Sequence, residues 1–191
     1  MAEVMEVRWH GRGGQGAKTA SYILAVAAAE QGHNAQAFPE YGAERRGAPM
    51  KSYVRISDAP IRLRSGVKEP QIVVVLDSTL VMSENVAAGV PANGIILING
   101  KGDAAEIKQM LGVPETVKVG VVDASAIAME TIGRPIPNTP MLGALARVSD
   151  IVTKDAAKAA VRRTLGGKLA AAVLDANDQA VERAYEEVKI A

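Results

Sequence analysis

The fold is decided by the stretch Val4-Met5-Glu6-Val7-Arg8-Trp9, which is followed by Gly11-Arg12-Gly13-Gly14-Gln15-Gly16 and an alanine-rich run to Ala29. The apolar residues predict a strand, the glycines a tight turn, and the alanine-rich run a helix. Glycines between a strand and a helix let backbone N–H groups approach a ligand closely, and the helix N-terminus adds a partial positive charge. The stretch therefore predicts a strand, turn and helix that can bind an anion such as phosphate.

The same glycines satisfy the G-x-G-x-x-G pattern of dinucleotide sites through Gly11, Gly13 and Gly16. Such a site also needs an acidic residue about 20 positions further on, at the end of the next strand, to bind the ribose. The predicted second strand, Asn34 to Phe38, contains no acid, and Glu40 comes late. The sequence therefore favours phosphate over NAD, and it leaves open that the glycines only pack the helix against the strand.

Length and composition exclude several classes of protein. The 191 residues predict a single domain over residues 1–191, with a substantial core. A net charge of +1 and an aromatic content of 3% argue against a nucleic-acid partner. The N-terminus lacks the pattern of a secretory signal, and no stretch reaches the roughly 18 apolar residues of a membrane span. We expect a cytoplasmic protein that binds neither nucleic acid nor membrane.

The residue types needed for catalysis are sparse. The chain has no cysteine, which excludes disulfides, thiolate nucleophiles and iron-sulphur clusters held by its own thiolates. Two histidines, His10 and His33, cannot form a zinc site alone. His10 lies beside the glycines, where a ligand contact stays open, but no serine has a histidine at a matching position. We therefore predict no catalytic residue and no metal site.

The remaining hydrophobic pattern predicts an α/β fold. Apolar runs at Ile72 to Leu76, Ile95 to Ile98 and Val117 to Val122 are typical of buried parallel strands. Met50 to Ile56 alternates as a strand with one face in solvent, and Ile61 to Arg64 is predicted to pair back onto it as a hairpin. We predict an open, doubly wound, mostly parallel, Rossmann-like sheet with a hairpin insertion and a helical C-terminal part. The predicted helices are Gln15 to Gln31, Asp123 to Thr131, Pro140 to Val148, Lys154 to Leu165 and Lys168 to Lys189, with Asp123 and Thr139 as N-caps.

Two places near the predicted sheet edge carry side chains suited to an anion. The loop from Pro39 to Pro49 contains Arg45 and Arg46, whose guanidinium groups are suited to a carboxylate, a phosphate or a partner protein, unless the loop is only solvated. Lys101 follows the strand that ends at Ile98, at the carboxyl edge where open α/β sheets bind ligands. Asp77 follows another strand at this edge, where it is better explained as a helix cap.

These motifs together resemble a known family. Gly11-Arg12-Gly13-Gly14-Gln15-Gly16 and Phe38-Pro39-Glu40-Tyr41-Gly42-Ala43-Glu44-Arg45-Arg46-Gly47-Ala48-Pro49 are similar to motifs of the gamma subunits of pyruvate:ferredoxin oxidoreductase, among the 2-oxoacid:ferredoxin oxidoreductases. Val75-Leu76-Asp77 and Asn138-Thr139-Pro140-Met141-Leu142-Gly143-Ala144 extend the resemblance over nearly the whole chain. The resemblance implies a non-catalytic subunit of a complex that converts pyruvate to acetyl-CoA and reduces ferredoxin.

The resemblance also implies cofactors, partners and contacts. Thiamine diphosphate and the iron-sulphur clusters belong to partner subunits, which are of alpha, beta and delta type. Coenzyme A is the ligand associated with the gamma-type domain, so the implied contacts are the glycine turn for one phosphate and an arginine for another. The implied coenzyme-binding residues are Gly11, Gly13, Gly14, Gln15, Gly16, Arg45, Arg46 and Lys101. A free-standing NAD-dependent oxidoreductase, or a gamma subunit of a 2-ketoisovalerate or 2-oxoglutarate oxidoreductase, stays an alternative.

Overall fold

The computed structural model describes residues 4–40, 47–63 and 65–191. These residues form seven strands, which pair in one sheet. The strands are β1 (Met5–Arg12), β2 (Asn34–Glu40), β3 (Pro49–Ser57), β4 (Ile72–Val75), β5 (Ile95–Asn99), β6 (Lys118–Val122) and β7 (Lys189–Ile190). The helices are α1 (Ala17–Glu30), α2 (Leu80–Ser83), α3 (Ala104–Leu111), α4 (Ala124–Ile132), α5 (Asn138–Val148), α6 (Lys154–Leu165) and α7 (Ala171–Glu187).

The strand order across the sheet is β2-β3-β1-β4-β5-β6-β7. The four central strands, β1, β4, β5 and β6, are all parallel to one another. Strand β3 is antiparallel to both β1 and β2, and β7 is antiparallel to β6. The chain leaves β1 towards β2 and β3 and later returns on the other side of β1 to form β4, so the topology switches direction there. Open α/β sheets bind ligands at the carboxyl ends of strands at such a switch point.

Helices cover both faces of the sheet because the parallel strands are apolar on both sides. In β4, Ile72 and Val74 face a core that contains buried residues of α1, α4, α5, α6 and α7. Val73 and Val75 face a second core, which contains Leu80 of α2 and Ala104 of α3. This alternation follows from the two-residue period of a strand. The predicted open, doubly wound α/β fold is confirmed, and no helix of the described ranges is long and apolar enough to cross a membrane.

The hairpin in the structure pairs β3 with a different segment from the one that the sequence predicted. Residues 61–63 are not in a strand, and the hairpin is formed by β2 and β3 instead. The predicted solvent-exposed face of β3 is also wrong, because Arg55 is only 1% exposed. Its guanidinium donates to the carbonyl oxygens of Leu63 at 3.3 Å and Ser65 at 2.6 Å and pairs with Glu6 at 2.7 Å. The segment after β3 therefore lies across the sheet and supplies acceptors to a buried arginine.

Two predicted details of the helical part are wrong. Thr139 lies inside α5 and is not its cap, and its buried hydroxyl donates to Asn177 Oδ1 of α7 at 2.8 Å. The last helix ends at Glu187, after which β7 pairs with β6 at the sheet edge. The predicted cap of α4 is confirmed, since Asp123 accepts a hydrogen bond from the N–H of Ala126 at 3.0 Å.

Candidate functional site

The glycine turn, defined as residues 11–16, connects the end of β1 to α1. Gly14 and Gly16 have φ angles of +101° and +83°, which side chains disfavour. Within the described ranges, the backbone N–H groups of Gly14, Gly16 and Ala17 have no hydrogen-bond acceptor. The first turn of α1 contains no acidic residue to neutralise them. The turn therefore presents unpaired donors at the positive end of a 14-residue helix.

The glycines of this turn do different things. A Cβ on Gly11 would lie 3.3 Å from Ala17 Cβ, and a Cβ on Gly16 would lie 2.7 Å from Asn138 Nδ2. Glycine is needed at these two positions for close packing. For Gly11 and Gly16, this agrees with the alternative that the glycines pack the helix against the strand. A Cβ on Gly14 would meet no described atom within 4 Å. Of the three turn glycines Gly11, Gly14 and Gly16, Gly14 is thus the one at which no described atom fills the space beside the backbone.

Arg12 and Asp77 fix the turn to the end of the neighbouring strand. Arg12 donates to the carbonyl oxygen of Gly47 at 3.1 Å and to Thr79 Oγ1 at 2.9 Å, and its Nε lies 3.3 Å from Asp77 Oδ2. Gln15 links both, because its Oε1 accepts from the N–H of Arg12 at 2.8 Å and its Nε2 donates to Asp77 Oδ2 at 2.7 Å. The prediction that Asp77 caps the following helix is wrong, because the N-cap of α2 is Thr79, whose N–H donates to Asp77 Oδ1 at 3.0 Å. Asp77 instead positions the turn. Sequence reasoning overlooked Arg12, whose place between two glycines was the available signal.

We expect the substitution Asp77→Asn to destabilise the protein by about 1–3 kcal/mol at neutral pH, since it places an amide donor against donors from Gln15 and Arg12. Burial of Asp77 opposes ionisation, but hydrogen bonds from Thr79 and Gln15 outweigh it, and its pKa lies below the ordinary 3.8. A carboxylate with a depressed pKa stabilises the folded state above pH 4, and this contribution disappears as the pH falls through the folded pKa.

Urea unfolding of both proteins at pH 7 and near pH 3 measures this effect. The difference between wild type and Asp77→Asn should shrink on acidification. Asp103→Asn is the matched control because Asp103 caps α3 through backbone N–H groups, and asparagine is an equally good cap. An Asp77→Asn protein as stable as the wild type at pH 7 would contradict the positioning role of Asp77.

Asn99 and Lys101 lie at the same edge of the sheet. Asn99 donates to the carbonyl oxygen of Leu76 at 2.8 Å and to Ser125 Oγ at 2.8 Å, so it ties the ends of β4 and β5 to the start of α4. The Lys101 side chain is 87% exposed, and its Nζ lies 3.6 Å from Asp123 Oδ2. The structure thus places Lys101 at the edge that the sequence predicted, where it pairs with a helix cap.

His10 is held in an unusual environment at the end of β1. It is 2% exposed, and its Nε2 accepts a hydrogen bond from Arg8 Nε at 3.0 Å. Burial, together with the positive charges of Arg8 and Lys51, lowers the pKa of His10 to about 3. His10 is therefore neutral at physiological pH and is not a general acid there. The signal that sequence reasoning missed is the alternation of Arg8 and His10 with the apolar Val7 and Trp9.

The predicted coenzyme-binding residues divide into three groups. Gly11, Gly13, Gly14, Gln15 and Gly16 lie together in the turn, and Lys101 lies at the same edge of the sheet. Arg45 and Arg46 lie outside the described residues. Within the described ranges there is no group of three or more histidine, aspartate or glutamate residues placed to hold a metal ion.

Comparison with known proteins decides the family. The family model described as pyruvate ferredoxin/flavodoxin oxidoreductase matches residues 6–187. The chain belongs to this family. A relative from Thermotoga maritima, the pyruvate synthase subunit PorC, is 50% identical over 184 residues, which cover 96% of this chain and 94% of the relative. The resemblance inferred from the glycine turn and the arginine loop is confirmed.

Two further comparisons support the same conclusion. A relative from Pyrococcus abyssi, named as the common gamma subunit of pyruvate and ketoisovalerate oxidoreductases, is 41% identical over 98% of both chains. The crystal structure of pyruvate oxidoreductase subunit PORC from Thermotoga maritima matches with a TM-score of 0.86 and 45% identity, over 99% of both chains. The fold and the gamma-type assignment therefore agree with each other.

Proposed function

We propose that this chain is the gamma subunit of a complex that oxidatively decarboxylates pyruvate to acetyl-CoA and passes the electrons to ferredoxin. Alpha, beta and delta subunits provide the thiamine diphosphate and the iron-sulphur clusters. The 191 residues act as one domain that contributes to assembly and to binding of coenzyme A. Pyruvate is the proposed oxoacid because the relative from Thermotoga maritima is a pyruvate synthase subunit. 2-Ketoisovalerate is the second candidate because the relative from Pyrococcus abyssi is named for both acids.

One observation carries the proposed binding of coenzyme A. Among the described residues, the N–H groups of Gly14, Gly16 and Ala17 in the glycine turn have no acceptor, and no described atom fills the space beside Gly14. Coenzyme A carries phosphate groups, and the N-terminus of a helix binds phosphate through its N–H groups and its dipole. The proposed role of the turn is to bind one of these phosphates, without taking part in the chemistry of the oxoacid.

The proposal includes a second group of contacts. Arg12 donates to the carbonyl oxygen of Gly47, which follows Arg46 in the chain. Gly47, the residue that follows Arg45 and Arg46 in the chain, is therefore hydrogen-bonded to the glycine turn. We assign Arg45 and Arg46 to a further phosphate of coenzyme A. Lys101 is assigned to the long-range electrostatic attraction of the negatively charged coenzyme.

The variant Gly14→Asp tests the phosphate contact. We expect it to raise the KM of the complex for coenzyme A about tenfold or more, because a carboxylate would face the phosphate in a space that is open in the wild type. The matched control is Gly133→Asp. Gly133 also has a positive φ and open space around its Cβ, but it caps α4 and lies outside the turn. Steady-state kinetics with varied coenzyme A measures both variants.

The same experiment separates the alternatives. An unchanged KM for Gly14→Asp would show that the turn is a packing or assembly feature. If calorimetry showed saturable binding of NAD to the chain and no response to coenzyme A, the alternative of a free-standing NAD-dependent oxidoreductase would replace the proposal. Oxidation of a 2-oxoacid by the isolated chain would also contradict a non-catalytic role. Comparing pyruvate, 2-ketoisovalerate and 2-oxoglutarate as substrates of the purified complex identifies the oxoacid.

A further inference from the structure

A small cavity lies beside the glycine turn, at the end of β1. Its volume is about 130 Å³, and its lining includes His10, Glu40, Lys51, Leu80 and Glu84. A water molecule occupies about 30 Å³ in the liquid, so the cavity has room for one group the size of an amide. His10 immediately precedes the turn, and Leu80 immediately follows Thr79, which accepts a hydrogen bond from Arg12. The cavity and the turn therefore share one edge of the sheet.

Among the residues that the structure describes, the positive and negative charges at the cavity balance. Lys51 Nζ lies 3.7 Å from Glu84 Oε2, and Glu40 accepts a hydrogen bond from the hydroxyl of Tyr53. Arg8, behind His10, supplies the second positive charge. Counted over the described residues, two carboxylates and two cations favour neither a free anion nor a free cation. They favour a neutral polar group that both accepts and donates hydrogen bonds.

The position of the proton on His10 follows from its neighbour. An arginine side chain has only donors, so the 3.0 Å contact from Arg8 Nε makes His10 Nε2 an acceptor without a proton. A neutral imidazole must then carry its proton on Nδ1. Arg8 is fixed by the carbonyl oxygens of Val86 at 3.0 Å and Ala88 at 2.7 Å, which hold this arrangement in place. The hydrogen bonds of the described residues include none to His10 Nδ1, and His10, which is 2% exposed, lines the cavity.

We propose that this cavity binds an amide group in the pantetheine arm of coenzyme A. The Nδ1–H of His10 donates to the carbonyl oxygen of the amide, and the carboxylate of Glu84 accepts from its N–H. This inference rests on the proposed function, since the phosphate contact at the glycine turn brings the arm to this edge. His10 then acts as a binding residue that helps to select a coenzyme with an amide-bearing arm.

The test compares two substitutions in the intact complex. Glutamine in His10→Gln places its amide near the position of Nε2, so its oxygen can keep the hydrogen bond from Arg8, but the donor into the cavity is lost. Asparagine in His10→Asn places its amide nitrogen near Nδ1 and keeps that donor. We expect His10→Gln to raise the KM for coenzyme A about three- to tenfold, which is the range of one lost hydrogen bond. His10→Asn should stay within about twofold of the wild type.

A second probe separates the arm from the phosphates. Adenosine 3′,5′-bisphosphate carries phosphates of the coenzyme but lacks its arm, so its inhibition constant should be unchanged in His10→Gln. Equal weakening of both molecules, or an equal effect of both substitutions, would overturn the proposal, because His10 would then act through Arg8 or through the turn. Should the His10→Gln complex fail to assemble, Glu84→Met tests the other partner of the amide, because methionine removes the acceptor for the amide N–H. An unchanged KM for coenzyme A in that variant would overturn the proposal.

The variant Gly14→Asp tests the proposed function, independently of the variants at His10. If Gly14→Asp raises the KM for coenzyme A and His10→Gln does not, the coenzyme binds at the turn and the amide site is wrong. If neither variant changes it, both proposals fail. If His10→Gln alone raises it, the phosphate contact at the glycine turn is wrong, and the amide site loses the premise on which it rests.

Discussion

Replacing Gly16 with alanine is expected to destabilise the protein by about 2–5 kcal/mol, the sum of a left-handed backbone penalty and of overpacking. The φ angle of Gly16 is +83°, and its new Cβ would lie 2.7 Å from Nδ2 and 3.0 Å from Cβ of Asn138. The Asn138 side chain cannot rotate away without loss, because its Oδ1 accepts from the N–H of Thr139 at 2.9 Å. The substitution therefore separates the glycine turn from the start of α5. Urea unfolding measures the loss of stability.

A matched variant and a second substitution divide this loss into its two causes. Gly14→Ala has the same kind of backbone strain, with φ +101°, but an open surrounding, so it should cost only about 1–2 kcal/mol. The double variant Gly16→Ala with Asn138→Ala should recover part of the loss, because it removes the atoms nearest to the new Cβ. Equal destabilisation by Gly14→Ala and Gly16→Ala, with no recovery in the double variant, would show that the contact with Asn138 has no role.

Replacing Gly143 with alanine is expected to destabilise the protein, although helix propensity alone would predict a gain in stability. Alanine in a helix is normally more stable than glycine by about 1 kcal/mol. Gly143 lies in α5 where that helix crosses α7, and a Cβ there would lie 2.0 Å from the carbonyl oxygen of Val181. Backbone atoms cannot move aside as a side chain can, so the two helices must separate. We expect a loss of about 3 kcal/mol or more, measured by urea unfolding and by a fall in Tm.

Gly167 provides the control for this prediction. It lies between α6 and α7, it has no positive φ, and no described atom would lie within 4 Å of a Cβ there. Gly167→Ala should change stability by less than about 0.5 kcal/mol. A Gly143→Ala protein as stable as the wild type would mean that α5 and α7 are further apart in solution.

Sequence reasoning succeeded where the information is local. The apolar run Ile72 to Leu76 predicted a buried parallel strand, and the structure contains β4 from Ile72 to Val75. The pattern of Lys154 to Leu165 predicted α6 with the same bounds. The glycines after β1 predicted a turn before a helix, since such a turn depends on residues close together in the chain.

Sequence reasoning failed where a residue depends on a distant partner. Arg55 was expected in solvent because alternation within a strand does not show what covers its outer face. It is buried because Glu6 and the carbonyl oxygens of Leu63 and Ser65 satisfy its donors. Thr139 was expected to cap α5, but its hydroxyl bonds to Asn177, which lies 38 residues away. Neither contact leaves a pattern in the local sequence.

The sequence by itself therefore determined the α/β fold, the strand, turn and helix at the first strand, and the family, because periodicity and motif spacing are properties of neighbouring residues. The tertiary structure decided how the turn is used. It packs Gly11 and Gly16 closely, leaves space at Gly14, and joins Arg12 to Asp77 across 65 positions of the chain. It also places Arg8 on His10 and so fixes the proton of a buried imidazole. These features depend on how the strands are arranged in the sheet, which brings distant residues to one edge.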